Sequence, residues 1–138
     1  MDSSLYVIIL VLVIILALFL FAASSSKSIS KRRRTEILNQ LNDIKNNIGL
    51  DINSANRDSV VRLDSLLSKV LQVVKGNKLS CGENLKLIKN RVKKDLYNDI
   101  WEYHKLRNRI VHENIDVTAE EAKSAYSVYY KLITTLIE

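Results

Sequence analysis

An all-α fold, with one N-terminal transmembrane helix followed by a four- to five-helix bundle, follows from three observations. The chain has 138 residues with no proline and only three glycines, so little in it interrupts a helix. It opens with nineteen consecutive uncharged residues, Leu5 to Ala23. Beyond them apolar residues recur at three- and four-residue steps, and no segment alternates as a half-buried strand would.

The first element, residues 1–23, is an anchor. LYVIILVLVIILALFLFAA makes a helix of about 28 Å, the thickness of a bilayer core. A cleaved signal peptide needs a basic start and a shorter apolar run, whereas MDSS offers only Asp2. A buried soluble helix of this kind would need apolar cover on every side, more than so short a chain supplies. Residues 24–34, SSSKSISKRRR, form a flexible basic linker with Lys27, Lys31, Arg32, Arg33 and Arg34. The other flank has no basic residue, so the positive-inside rule places the C-terminal part in the cytoplasm at the plasma (inner) membrane, with the N-terminus outside. The single cysteine, Cys81, agrees with a reducing compartment.

The charge divides unevenly. The net charge is +6, but residues 27–34 hold five of the 21 basic residues, and residues 35–138 hold 16 against 14 acidic ones. The bundle is therefore close to neutral, at +2, and the basic excess reports topology and attraction to anionic lipid before it reports nucleic acid.

Residues 35–55 form an amphipathic helix and loop, with Ile37, Leu38, Leu41, Ile44 and Ile48 on one face and Gly49 as the stop. This face can dock on the bundle, on a second copy or on the membrane. The bundle proper is residues 56–138. Its first helix, Asn56 to Lys75, repeats Val60, Leu63, Leu67, Val70, Leu71 and Val74 and stops at Gly76-Asn77. GNKLSCGEN reads as a loop, and NLKLIKNRVKKDLY as a short basic helix with Leu85, Ile88 and Val92 inward. The next helix spans Asn98 to His112. The last is announced by the capping box Thr118-Ala119-Glu120-Glu121 and buries Ala122, Ala125, Tyr126, Tyr129, Leu132, Ile133 and Leu136, with Tyr126, Tyr129 and Tyr130 in core and rim.

Polar residues then interrupt this pattern. On the Trp101 helix, Trp101, His104, Asn108 and Val111 share one stripe and should face inward. Asp64 sits among Val60, Leu67 and Leu71 on an apolar face, and a buried carboxylate must be paired, so His104 or Arg107 is its expected partner. Asp64 and His104 are thus candidates for a structural polar core. Arg107 and His112, five residues apart, combine a permanent bidentate cation with a titratable ring. Such a pair suits metal-independent cleavage of a phosphodiester, especially across a two-fold interface.

The run WEYHKLRNRIVHEN resembles the Arg-polar-x-x-x-His signature of the HEPN superfamily of small helical domains, and Asp58 to Ile137 is similar to its bundle. The order VVxxDxLL followed by WExHKxRNRIxHE also resembles small membrane-attached bacterial proteins. The HEPN resemblance implies a homodimeric, metal-independent endoribonuclease. In it Arg107 would bind the scissile phosphate, Asn108 would orient it and His112 would move protons. The competing expectation is an adaptor at the inner membrane face that binds protein or nucleotide without turnover. In that case the motif is structural, with His112 closing the last carbonyls of its helix.

Other signals are plainer. Lys86, Lys89, Arg91, Lys93 and Lys94 form a basic run that can track an RNA backbone, although such runs are ordinarily a solvated face. His104 and His112 are eight apart with no cysteine near them in sequence, so no metal site is expected. Without a glycine-rich phosphate loop or a nucleophile elbow, no cofactor is expected either.

Overall fold

The computed structural model describes residues 3–24, 29–50 and 52–138. It is all-helical, with no strand among the described residues. Six helices follow in order: α1 Ser3–Ser24, α2 Lys31–Asn47, α3 Asn53–Lys75, α4 Cys81–Ile88, α5 Lys94–Glu113 and α6 Ala119–Ile137. A 3-10 turn, Lys89–Arg91, follows α4.

Helix α1 is long and apolar enough to cross a membrane, and it buries none of its apolar window in the bundle. Its large apolar side chains from Leu5 to Leu20 are all at least 45% exposed. In water such a surface carries a heavy hydrophobic penalty, which a bilayer removes.

The basic cluster is not wholly linker. Ser30 caps α2, its hydroxyl accepting from the Arg33 N–H, so Lys31 to Arg34 form the first turn of the helix. Of the expected apolar face, Ile37, Leu41 and Ile44 are buried against the bundle, whereas Leu38 stays at the surface. The choice left open by the sequence is settled for this face: α2 docks on α3 and α6.

α3 is the central helix and packs against α2, α4, α5 and α6. Its apolar stripe, including Val60, Leu63, Leu67, Val70 and Leu71, is almost wholly removed from solvent. Truncating one of these leucines to alanine should destabilise the bundle by about 2–5 kcal/mol. Gly76 closes α3 in the left-handed conformation that glycine adopts without strain.

Three helix starts differ from the sequence reading: α3 begins at Asn53, three residues before the expected Asn56, and the other two matter for the site. The stretch read as a loop contains a helix start: Ser80 and Glu83 form a capping box, so α4 begins at Cys81. The run read as one basic helix is broken, because Val92 and Lys93 are extended and α5 begins four residues earlier than expected, at Lys94. The break lets Ile88 stay buried in α4 while α5 turns back along α3.

The α5–α6 loop is tied to the start of α3. Asn53 donates to Asp116 and accepts from the Val117 N–H, and Arg57 donates to Asn114. Asn114 ends α5 at φ 55°, a conformation that asparagine tolerates better than most residues. The Thr118–Glu121 capping box then starts α6.

Candidate functional site

The site is built around Asp64. Its position on the inner face of α3 leaves the side chain only 4% exposed, so its charge needs partners from neighbouring helices. Three donors converge on one carboxylate oxygen: His104 Nδ1 from α5 at 2.8 Å, the Tyr129 hydroxyl from α6 at 2.9 Å and the Cys81 thiol from α4 at 3.8 Å. Arg107 Nε lies 3.6 Å from the other oxygen. One residue therefore ties α3 to three helices, and both partners expected from the sequence are present.

These contacts fix protonation. Burial, then the Asp64 charge, pushes the Cys81 thiol far above its ordinary range, and the same two causes raise Tyr129 well above that of a phenol. Both groups stay protonated and act as donors. Neither Cys81 nor Tyr129 was identified from the sequence as a partner of Asp64. Spacing placed Tyr129 on the buried side of its helix and left Cys81 in a loop, and only the three-dimensional arrangement brings both to one oxygen.

Arg107 has two surroundings. Its Nε is buried beside Asp64 but makes no hydrogen bond, and its terminal NH1 donates to Asn108 Oδ1 at 2.9 Å. The side chain is nevertheless 31% exposed, because it lines a cleft of about 510 Å³. Ser65, Ser68 and Lys69 of α3 form one wall, Ser80 and Gly82 at the start of α4 a second, and His104, Arg107 and Asn108 of α5 a third. Gly82 faces this wall closely: a Cβ there would stand in van der Waals contact, 3.4 Å from His104 Nε2 and 3.6 Å from the Trp101 ring. Trp101 meets His104 edge-on, with centroids 5.6 Å apart.

The expected inward stripe of α5 is shifted. Leu96, Ile100 and Ile110 are its buried residues, while Trp101, His104 and Asn108 lie at the margin that borders the cleft. Val111, expected inside, is 51% exposed. His112 is exposed in the last turn and does not line the cleft, so one protomer does not join Arg107 and His112 in a single pocket.

Compared with family models, curated proteins and solved structures, the chain matches none. The chemistry of the site therefore rests on its own geometry.

A cysteine does lie near a histidine in space. Asp64, Cys81 and His104 bring an oxygen, a sulfur and a nitrogen within 4.8 Å of one another, a donor set that zinc accepts. A metal would have to displace the His104 and Tyr129 hydrogen bonds, deprotonate a thiol that its surroundings hold neutral, and sit beside the Arg107 cation. The arrangement fits a hydrogen-bonded hub better than a metal cage. The basic run Lys86, Lys89, Arg91, Lys93 and Lys94 is exposed and forms no part of the cleft.

Proposed function

We propose that the chain is a single-pass membrane protein whose bundle, a HEPN-like domain on the cytoplasmic side, binds a phosphate-bearing ligand such as a nucleotide without turning it over. The observation that carries this reading is the placement of Arg107. Asp64 holds the guanidinium at the root of the cleft, Asn108 orients it, and its exposed part shares the cleft with Lys69 and the Ser65, Ser68 and Ser80 side chains. An oriented guanidinium with nearby hydroxyls and an ammonium is suited to phosphate oxygens. The anchor's length and the basic flank support the membrane assignment, with the N-terminus outside.

Trp101 is the only tryptophan and stands beside the cleft, so its fluorescence is a direct reporter. Titrating the full chain in detergent with adenosine monophosphate and with inorganic phosphate should change Trp101 emission saturably. Arg107→Gln should abolish the response while retaining helical circular dichroism. An unchanged titration curve for that variant would sink the reading.

A second reading, a metal-independent endoribonuclease, is favoured by the surface position of His112 beside exposed Val111. A second copy can reach this surface and bring its own Arg107 and His112 to one RNA strand. Arg107 would stabilise the phosphate, Asn108 would orient it and His112 would transfer protons. Incubating mixed RNA with the full chain and with His112→Ala, both with a chelator, separates the readings. Cleavage by the unmodified chain alone supports the nuclease, and intact RNA in both supports the binding domain.

A further inference from the structure

We propose that the anchor-proximal end of the bundle is a docking surface for anionic lipid headgroups, assembled from three separate chain segments; the inference rests on α1 being a membrane anchor.

The first segment is the basic turn of α2, Lys31 to Arg34. Six residues, 25–30, separate it from the end of α1, and even a fully extended tether of that length spans only about 20 Å. The topology adds the others. Arg33 shares a groove with Val73, which places the last turns of α3, with Lys75, beside the start of α2. α5 runs antiparallel to α3, in a register set by Arg57 with Asn114 and by Asp64 with Arg107. Carried along both helices, that register brings Lys75 level with the first turn of α5. Lys89, Arg91, Lys93 and Lys94 lead into that turn. Proximity is also felt electrostatically, since burial and then the Arg91 charge lower the Lys75 pKa.

Two features indicate an external anion. Among the described residues, none of these cations has a carboxylate within ion-pair distance. The ion pairs that do form, such as Arg62 with Asp58 and Arg109 with Glu113, lie toward the opposite half of the bundle. In addition, Lys31 to Arg34 crowd a helix N-terminus and Lys94 opens another, where the helix dipole disfavours positive charge. Glu36, in the groove with Arg33, and Asp95, in the first turn of α5, offset only part of this concentration of charge, and a negatively charged leaflet relieves the remainder. At the opposite end acids outnumber bases: Asp43, Asp116, Glu120 and Glu121 accompany Lys45 and Lys123, and Lys123 lies against Gly49 in the α2–α3 turn.

The test uses the full chain in nanodiscs of neutral phosphatidylcholine, or of the same lipid with phosphatidylserine, read by amine labelling and peptide mass spectrometry. In anionic discs Lys75, Lys89, Lys93 and Lys94 should label more slowly on the order of fivefold, the factor for one near-surface charge. Lys45 and Lys123 should be unaffected, and added salt of about 0.5 M should erase the difference. The variant K89Q/R91Q/K93Q/K94Q should return Lys75 to its neutral-disc rate. Equal labelling in the two lipids overturns the proposal, as does protection by added RNA in neutral discs with none from anionic lipid. Failure to co-elute with neutral discs would instead refute the anchor, and is read separately.

Discussion

Tyr129 and Asp64, sixty-five positions apart in the chain, share a buried hydrogen bond of 2.9 Å. The phenol donates to the same oxygen that accepts from His104, so α3, α5 and α6 meet at one atom. Removing either partner leaves a polar group in a dry interior, and the two removals differ in cost. Asp64→Ala strands Arg107 and His104 and should lower the unfolding free energy by about 3–5 kcal/mol in urea titrations. Tyr129→Phe removes a single donor to a charged acceptor, and about 2 kcal/mol is expected. Equal effects for the two would contradict the hub.

Stability should fall in alkali for a definite reason. Cys81 and Tyr129 have folded-state pKa values above their ordinary 9.0 and 10.0, so the native chain keeps protons that the unfolded chain releases. Their contribution is complete below about pH 9 and is lost as the pH rises, by up to about 1.4 kcal/mol per unit for each group. Urea midpoints measured from pH 8 to 11 test this. Cys81→Ser should flatten the part that begins near pH 9, and a curve unchanged by that substitution would exclude the thiol.

The two capping boxes should have comparable weight. Thr118 and Ser80 each accept from the backbone N–H of the glutamate three residues on, and each glutamate accepts from the cap's own N–H. Thr118→Ala and Ser80→Ala should each cost about 1 kcal/mol. Thermal melts show whether the Ser80 box, which starts the short α4, also supports the cleft: if it does, Ser80→Ala alters Trp101 emission and Thr118→Ala does not.

His112→Ala should leave folding almost untouched, within about 0.5 kcal/mol by urea titration, because the ring is exposed and away from the hub. Arg107→Ala should cost several times more, since it removes the guanidinium beside the buried Asp64 carboxylate. Equivalent losses for both would mean that His112 is a structural cap on α5.

Much of this architecture is legible in the sequence, because helix periodicity and caps are local signals. The long apolar N-terminal helix, the stripe of α3, the Gly76 stop and the Thr118–Glu121 box all read directly from spacing. Asp64 stood out for an equally simple reason: a charge on an apolar face requires a partner. What spacing does not carry is how helices rotate against one another. The stripe through Trp101, His104, Asn108 and Val111 was placed inward, yet α5 turns so that Ile100 and Ile110 face the core and Val111 faces solvent. The cleft exists because of that rotation. Cys81 escaped notice because its helix is only eight residues long and begins inside a turn-rich stretch, where the Ser80–Glu83 signal competes with flanking glycines. The break at Val92 is similar, since no proline or glycine marks it.

Cys81 has a consequence for how the molecule can be watched. It is the chain's one thiol, it is 7% exposed, and it touches the carboxylate on which the bundle converges. Cys81 borders the cleft but is almost wholly covered, so a thiol reagent reaches it more readily when α4 lifts from α3, and the labelling rate in undisturbed protein follows the opening of that seam. The unmodified chain thus contains its own clock for local opening, and a ligand that closes the neighbouring cleft should slow it.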